Sequence, residues 1–212
     1  MTSESGFGYL SVIGFSYLYP VTELLDDLLA LEGSPNEVHA SPRENGYASA
    51  TIVLSVLMVE SAIARVKYDM KLETPRSALQ FMKSTFPLYP GLEALEEIFV
   101  IRDAIVHNHL WQAQITWTED WDMKLLSAVK WEGSGDSKLE AVLDAKTRKT
   151  KLLGLNLFPT RIAKVDAILV IKQTADTLKF LEANGSPLVN VGSQDVEFRG
   201  RLVGYLDLVS SL

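Results

Sequence analysis

Gly91-Leu92-Glu93-Ala94-Leu95-Glu96-Glu97-Ile98-Phe99-Val100-Ile101-Arg102-Asp103-Ala104-Ile105-Val106-His107-Asn108-His109-Leu110 is the stretch that decides how the chain is read. Leu92, Leu95, Phe99, Val106 and Leu110 build most of a helical apolar face, and Ile98, Ile101 and Ile105 widen it. A helix apolar over so wide an arc buries more than one side, which predicts packing within the fold and against a second chain. Its end breaks the pattern. Ile101–His109 gathers an arginine, an aspartate, an asparagine and two of the protein's 3 histidines.

Further helices are expected on both sides. Over Tyr47–Met70, Ile52, Val56, Val59, Ile63 and Val66 form one continuous helical stripe. Glu60 lies beside it, either as a boundary side chain reaching water or as a buried carboxylate holding an arginine. Pro20–Glu32 carries Leu24, Leu25, Leu28, Leu29 and Leu31 at helical spacing before Gly33. Thr74-Pro75 reads as a cap and first turn of a helix to about Phe86. Pro159-Thr160 opens a helix to about Asn184, with Ile162, Val165, Ile168 or Leu169, Lys172, Ala175 and Leu178 giving its period. Residues 6–19 suggest a short strand or irregular segment. Ser34–Gly46, which contains His39, reads as an exposed loop. The tail, Pro187–Leu212, has strand-like pieces and a last helix over Gly200–Ser210.

Residues 111–158 differ in character. Gln112–Glu119 and Met123–Glu132 partly alternate, and Leu139–Asp144, Lys149–Leu153 and Leu155–Phe158 suggest further short strands. This predicts a small antiparallel sheet inserted between helices, packed by Trp117, Trp121 and Trp131. The expected architecture is a mostly α, single-domain helical bundle over 1–212 with a β-rich insertion at 111–158.

Composition narrows the function. The chain is 47% hydrophobic and 22% charged, which is globular rather than disordered. It has no cysteine, which excludes disulfides and thiolate metal sites. No uninterrupted apolar run reaches the roughly 18–20 residues that span a bilayer, and the N-terminus lacks a basic leader, so a cytoplasmic protein with no membrane partner is expected. The net charge of −7 opposes nucleic acid at long range, so a nucleic-acid role requires a local basic cleft. Lys146, Arg148, Lys149 and Lys151 are the candidate RNA-binding patch, or else a solvated edge. No phosphate-binding glycine motif, metal-ligand spacing or nucleophile elbow occurs, and no cofactor is expected.

Arg102 and His107 carry the chemistry. On an ideal helix they point about 140° apart, so one chain does not focus both on one ligand unless the helix ends or bends. Two copies in a symmetric dimer can line a common cleft with two of each. Asp103 is four residues before His107 and can orient its imidazole. Histidine titrates near pH 6.5 and can move a proton at a ribose hydroxyl or a leaving oxygen. Arginine offers a permanent, forked charge to a phosphate.

The stretch from Leu95 to His109 closely resembles the motif helix of the HEPN superfamily (higher eukaryotes and prokaryotes nucleotide-binding). That family's pattern is arginine, a polar residue, mostly apolar residues and then histidine, which Arg102, Asp103 and His107 match. Val59–Ala64, with Glu60, is similar to the family's preceding core helix, and Lys172–Leu181 resembles its closing helix. The resemblance is plausible over 47–110 and 159–184 and silent on 111–158. It implies a helical bundle that dimerises through the motif helices. Many members are metal-independent endoribonucleases, several acting as toxins or antiviral-defence effectors; others are non-catalytic binding or regulatory modules. By this resemblance Arg102 and His107 are the catalytic pair, with Asp103, Asn108, His109 and Glu60 supporting them. RNA is then the substrate, a second copy the partner, and an antitoxin or regulatory protein a further one. Some relatives carry a tyrosine at the position of His109, so their regulatory modification does not carry over. A third reading is structural: Arg102 pairs with Glu60 or Asp103, and His107 caps the helix.

Overall fold

Ser41-Pro42-Arg43-Glu44 starts the helix on which the others pack. The Ser41 Oγ accepts from the Glu44 amide at 3.2 Å, and Pro42 occupies the first helical turn. The helix, α3 (Pro42–Asp69), therefore begins five residues before the expected Tyr47 and absorbs the end of the expected loop. The computed structural model describes residues 13–32, 40–72, 77–107, 111–116, 122–128, 136–144 and 146–212. The predicted stripe of Ile52, Val56, Val59, Ile63 and Val66 is buried. By length and hydropathy α3 is the one helix among the described residues that could cross a membrane, but half of its most apolar window is buried inside the fold.

Around α3 lie α2 (Leu18–Ala30), α5 (Leu92–Val106) and α7 (Lys164–Asn184), with α7 and α2 making the most extensive contact. The short helices α1 (Ile13–Ser16) and α4 (Ala78–Thr85) also touch it. The protein is mostly helical with small antiparallel sheets, as expected. Of residues 6–19, 6–12 lie outside the described residues, and the rest is helical on either side of a turn at Tyr17 rather than a strand or irregular segment, with Leu18, Val21, Leu25 and Leu28 sharing one buried face of α2. Thr74 and Pro75 lie outside the described residues, and α4 is started by Ser77, which exchanges hydrogen bonds with Gln80 in a capping box.

α7 corrects the reading of 159–184. Pro159–Arg161 is a separate 3₁₀ turn, and α7 starts at Lys164, where the buried Asp166 carboxylate accepts from the Ala163 amide at 2.9 Å. Burial raises the Asp166 pKa against the hydrogen bonds that hold it. The core face is Ala167, Val170, Ile171, Ala175, Leu178 and Leu181, while Val165 is exposed. The Lys164 amide donates to Glu44 Oε1 at 3.1 Å, joining the first turns of α7 and α3.

The insertion is β only in its first half. β1 (Trp111–Thr116) pairs antiparallel with β2 (Asp122–Ala128), with a bulge at Gln112/Ala113. Residues read as a third strand form α6 (Asp136–Val142) instead, because Leu139 and Val142, three apart, bury one helical face. Beyond it in the insertion, the β pairing among the described residues is limited to the isolated bridges Leu143–Thr150 and Lys149–Asn156. Trp117, Trp121 and Trp131 lie outside the described residues. The tail forms a hairpin, β3 (Asp195–Phe198) and β4 (Arg201–Gly204), turned through Arg199 and Gly200, both at positive φ. The last helix, α8 (Tyr205–Ser210), starts later than expected.

Candidate functional site at the end of the motif helix

The start of α5 is fixed against α7. Tyr89 Oη lies 2.9 Å from Thr177 Oγ1, and the Gln173 side-chain amide donates to Tyr89 Oη at 3.3 Å. Gly91 caps the helix beneath this cluster, where a Cβ would collide with the Tyr89 hydroxyl. From there Leu95, Ile98, Ile101 and Ala104 are fully buried, so the rotation of α5 is set and with it the direction of its polar residues.

Arg102 leaves α5 toward α3. Its Nη2 donates to Glu60 Oε1 at 2.9 Å and its Nη1 to Glu60 Oε2 at 3.2 Å, a forked pair. The side chains are 19% and 30% exposed. Glu60 thus combines its two readings: it holds an arginine, but from a partly exposed boundary position rather than a buried one. A guanidinium has five N–H groups, and this pairing uses one on each Nη, leaving one on each for another acceptor. Arg102 Nε lies 3.0 Å from Asp103 Oδ1, but it is buried and unaligned for a hydrogen bond. The Phe99 ring lies 5.8 Å from the guanidinium carbon.

Asp103 therefore faces Arg102. The expected bond from its carboxylate to the His107 imidazole is absent among the described residues. The link between the two is main-chain: the His107 amide donates to the Asp103 carbonyl at 2.9 Å. His107 is the C-cap of α5, with φ −93° and ψ 3°, and is exposed. The helix ends at the histidine, one turn past the arginine. Asn108 and His109 lie outside the described residues.

Arg102, Asp103 and Glu60 line a groove of about 390 Å³ with Phe99 and Val100 of α5, Ser77, Leu79 and Lys83 at α4, and Lys138 of α6. Lys83 is paired with Glu96 at 2.7 Å. Lys138 was not anticipated, because it falls just before Leu139–Asp144, which reads as a strand. The available signal was Asp136-Ser137 ahead of Leu139 and Val142 at helical spacing.

The basic run Lys146–Lys151 is a turn, and it does not line this groove. Asp144 Oδ1 accepts from the Lys146 and Thr147 amides, each at 2.8 Å. These bonds lower the Asp144 pKa. The Lys151 ammonium donates to the Ala141 carbonyl, and Arg148, at positive φ, has interactions of its own. Lys146 and Lys149 are exposed. The turn is docked onto α5 by Glu97, which is 3% exposed and accepts from the Leu152 and Leu153 amides at 2.7 and 2.8 Å. Among the described residues no cluster of three or more potential metal ligands occurs. No protein-family model, curated protein or solved structure matches this chain.

Proposed function

We propose that the chain is a metal-independent endoribonuclease of the HEPN type, with a HEPN-like antiparallel helical bundle. It works as a homodimer in the cytoplasm as a toxin or defence effector. The observation that carries this reading is the pairing of a forked, aligned arginine with an exposed histidine at the end of one buried helix. Glu60 aims Arg102 without using up its donors. Arg102 stabilises the charge that grows on a phosphodiester as it is attacked. His107 takes the proton of the ribose 2′-OH, the 2′-oxygen attacks phosphorus, and the 5′-oxygen leaves as a hydroxyl on taking a proton from water or from an imidazolium, giving a 2′,3′-cyclic phosphate. Because Arg102 turns to α3 and His107 to solvent, a second copy supplies the complementary half of the cleft. An antitoxin or regulatory protein would act by covering that cleft.

The test is cleavage of single-stranded RNA in EDTA. His107→Ala is expected to abolish cleavage while helical circular dichroism stays at the wild-type level. Undiminished cleavage by this variant overturns the assignment. The contacts of Arg102 with Glu60 and Asp103, and His107 at the C-cap of α5, are what the structural reading expects; a second functional reading is a non-catalytic nucleotide- or protein-binding module of the same fold. It predicts no cleavage by the wild type and a lower melting temperature for His107→Ala.

A further inference from the structure

We infer that the insertion supplies a grip on substrate: Lys138, on α6, binds an RNA backbone phosphate next to the one held by Arg102. This deepens the ribonuclease reading and rests on it.

The argument starts from charge. The chain carries −7, so a polyanion is repelled at a distance and settles only where cations are not neutralised nearby. In the groove, Glu60 and Asp103 are both drawn to Arg102, and Glu96 is paired with Lys83. Lys138 is the remaining cation of the lining. It is exposed and has no carboxylate partner among the described residues. The three cations and three carboxylates of the lining cancel overall, and Lys138 is the cation among them with no carboxylate in contact. Arg102 keeps two uncommitted Nη hydrogens.

Position follows from the packing. Leu139 and Val142 bury the inner face of α6, and α6 packs on α5. The Lys151 ammonium caps the Ala141 carbonyl, and Glu97 binds the following turn to α5 through the Leu152 and Leu153 amides. The helix that carries Lys138 is thus tied to the helix that carries Arg102. Single-stranded RNA suits an open groove of this kind better than duplex RNA, which is read across a broad minor groove.

The experiment uses His107→Ala protein, so that binding is read without cleavage, and a fluorescein-labelled single-stranded RNA of about ten nucleotides. Adding Lys138→Glu is expected to weaken binding by about tenfold and to lower the slope of log K against log salt by about 0.7 or more. Lys138→Gln should give a smaller loss in the same direction. Lys179→Glu, on the exposed face of α7 and outside the groove, should change affinity by less than about twofold. Wild-type-like affinity and salt slope for Lys138→Glu overturn the inference while leaving the ribonuclease reading intact. No RNA binding by His107→Ala, together with no cleavage by the wild type, overturns the ribonuclease reading and this inference with it.

Discussion

Glu60 and Arg102 are 42 residues apart, and their pairing turns a frequent residue type into an oriented one. Both side chains are less than one third exposed, so the pair is screened less than a surface ion pair and desolvated less than a core one. Glu60→Ala should therefore cost about 1–2 kcal/mol, which for a chain of this size lowers the melting temperature by roughly 2–8 °C. RNA cleavage should fall less than in His107→Ala, because Arg102 would keep its charge and lose only its aim. Unchanged melting and cleavage would mean that the pair does nothing. The sequence offered Glu60 as a carboxylate able to hold an arginine. It offered Asp103 both as a partner of Arg102 and as a support for His107, and could not choose between them, because rotamers decide that and they depend on the neighbours of the finished fold.

At the scale of elements, α5 is organised by contacts it does not itself contain. Its apolar arc was legible because hydrophobic spacing is local. Its end at Val106 was not, since the apolar pattern runs on to Leu110. α6 was misread for a related reason: seven residues carry too few periods to separate a helix from a strand. The buried Glu97 is the tie between these elements. Glu97→Ala should leave the Leu152 and Leu153 amides without their acceptor and cost about 1–3 kcal/mol. Amide exchange at these two positions should accelerate more than in the middle of α3. Equal protection in wild type and variant would show that the turn is held by other contacts.

At the scale of the molecule, the cleft proposed above would be shared between two chains. Val106 is 51% exposed, one residue before His107, on a helix whose other apolar residues are largely covered. Such a residue suits an interface between two copies of the motif helix. Sedimentation equilibrium should find a dimer for the wild type and a shift toward monomer for Val106→Asp, with unchanged helical content. A wild type that stays monomeric at tens of micromolar would remove the composite cleft.

The sequence by itself determined the helical class, the central stripe of α3, the burial of α5 and the identity of the Arg102 and His107 candidates. All of these rest on local spacing or on side-chain chemistry. Tertiary structure alone decided that Glu60 meets Arg102, that the Lys146–Lys151 turn lies away from the groove while Lys138 lines it, and that Glu97 joins the insertion to α5. Those facts join residues far apart in the chain, and only packing of the whole core fixes which distant groups share a surface.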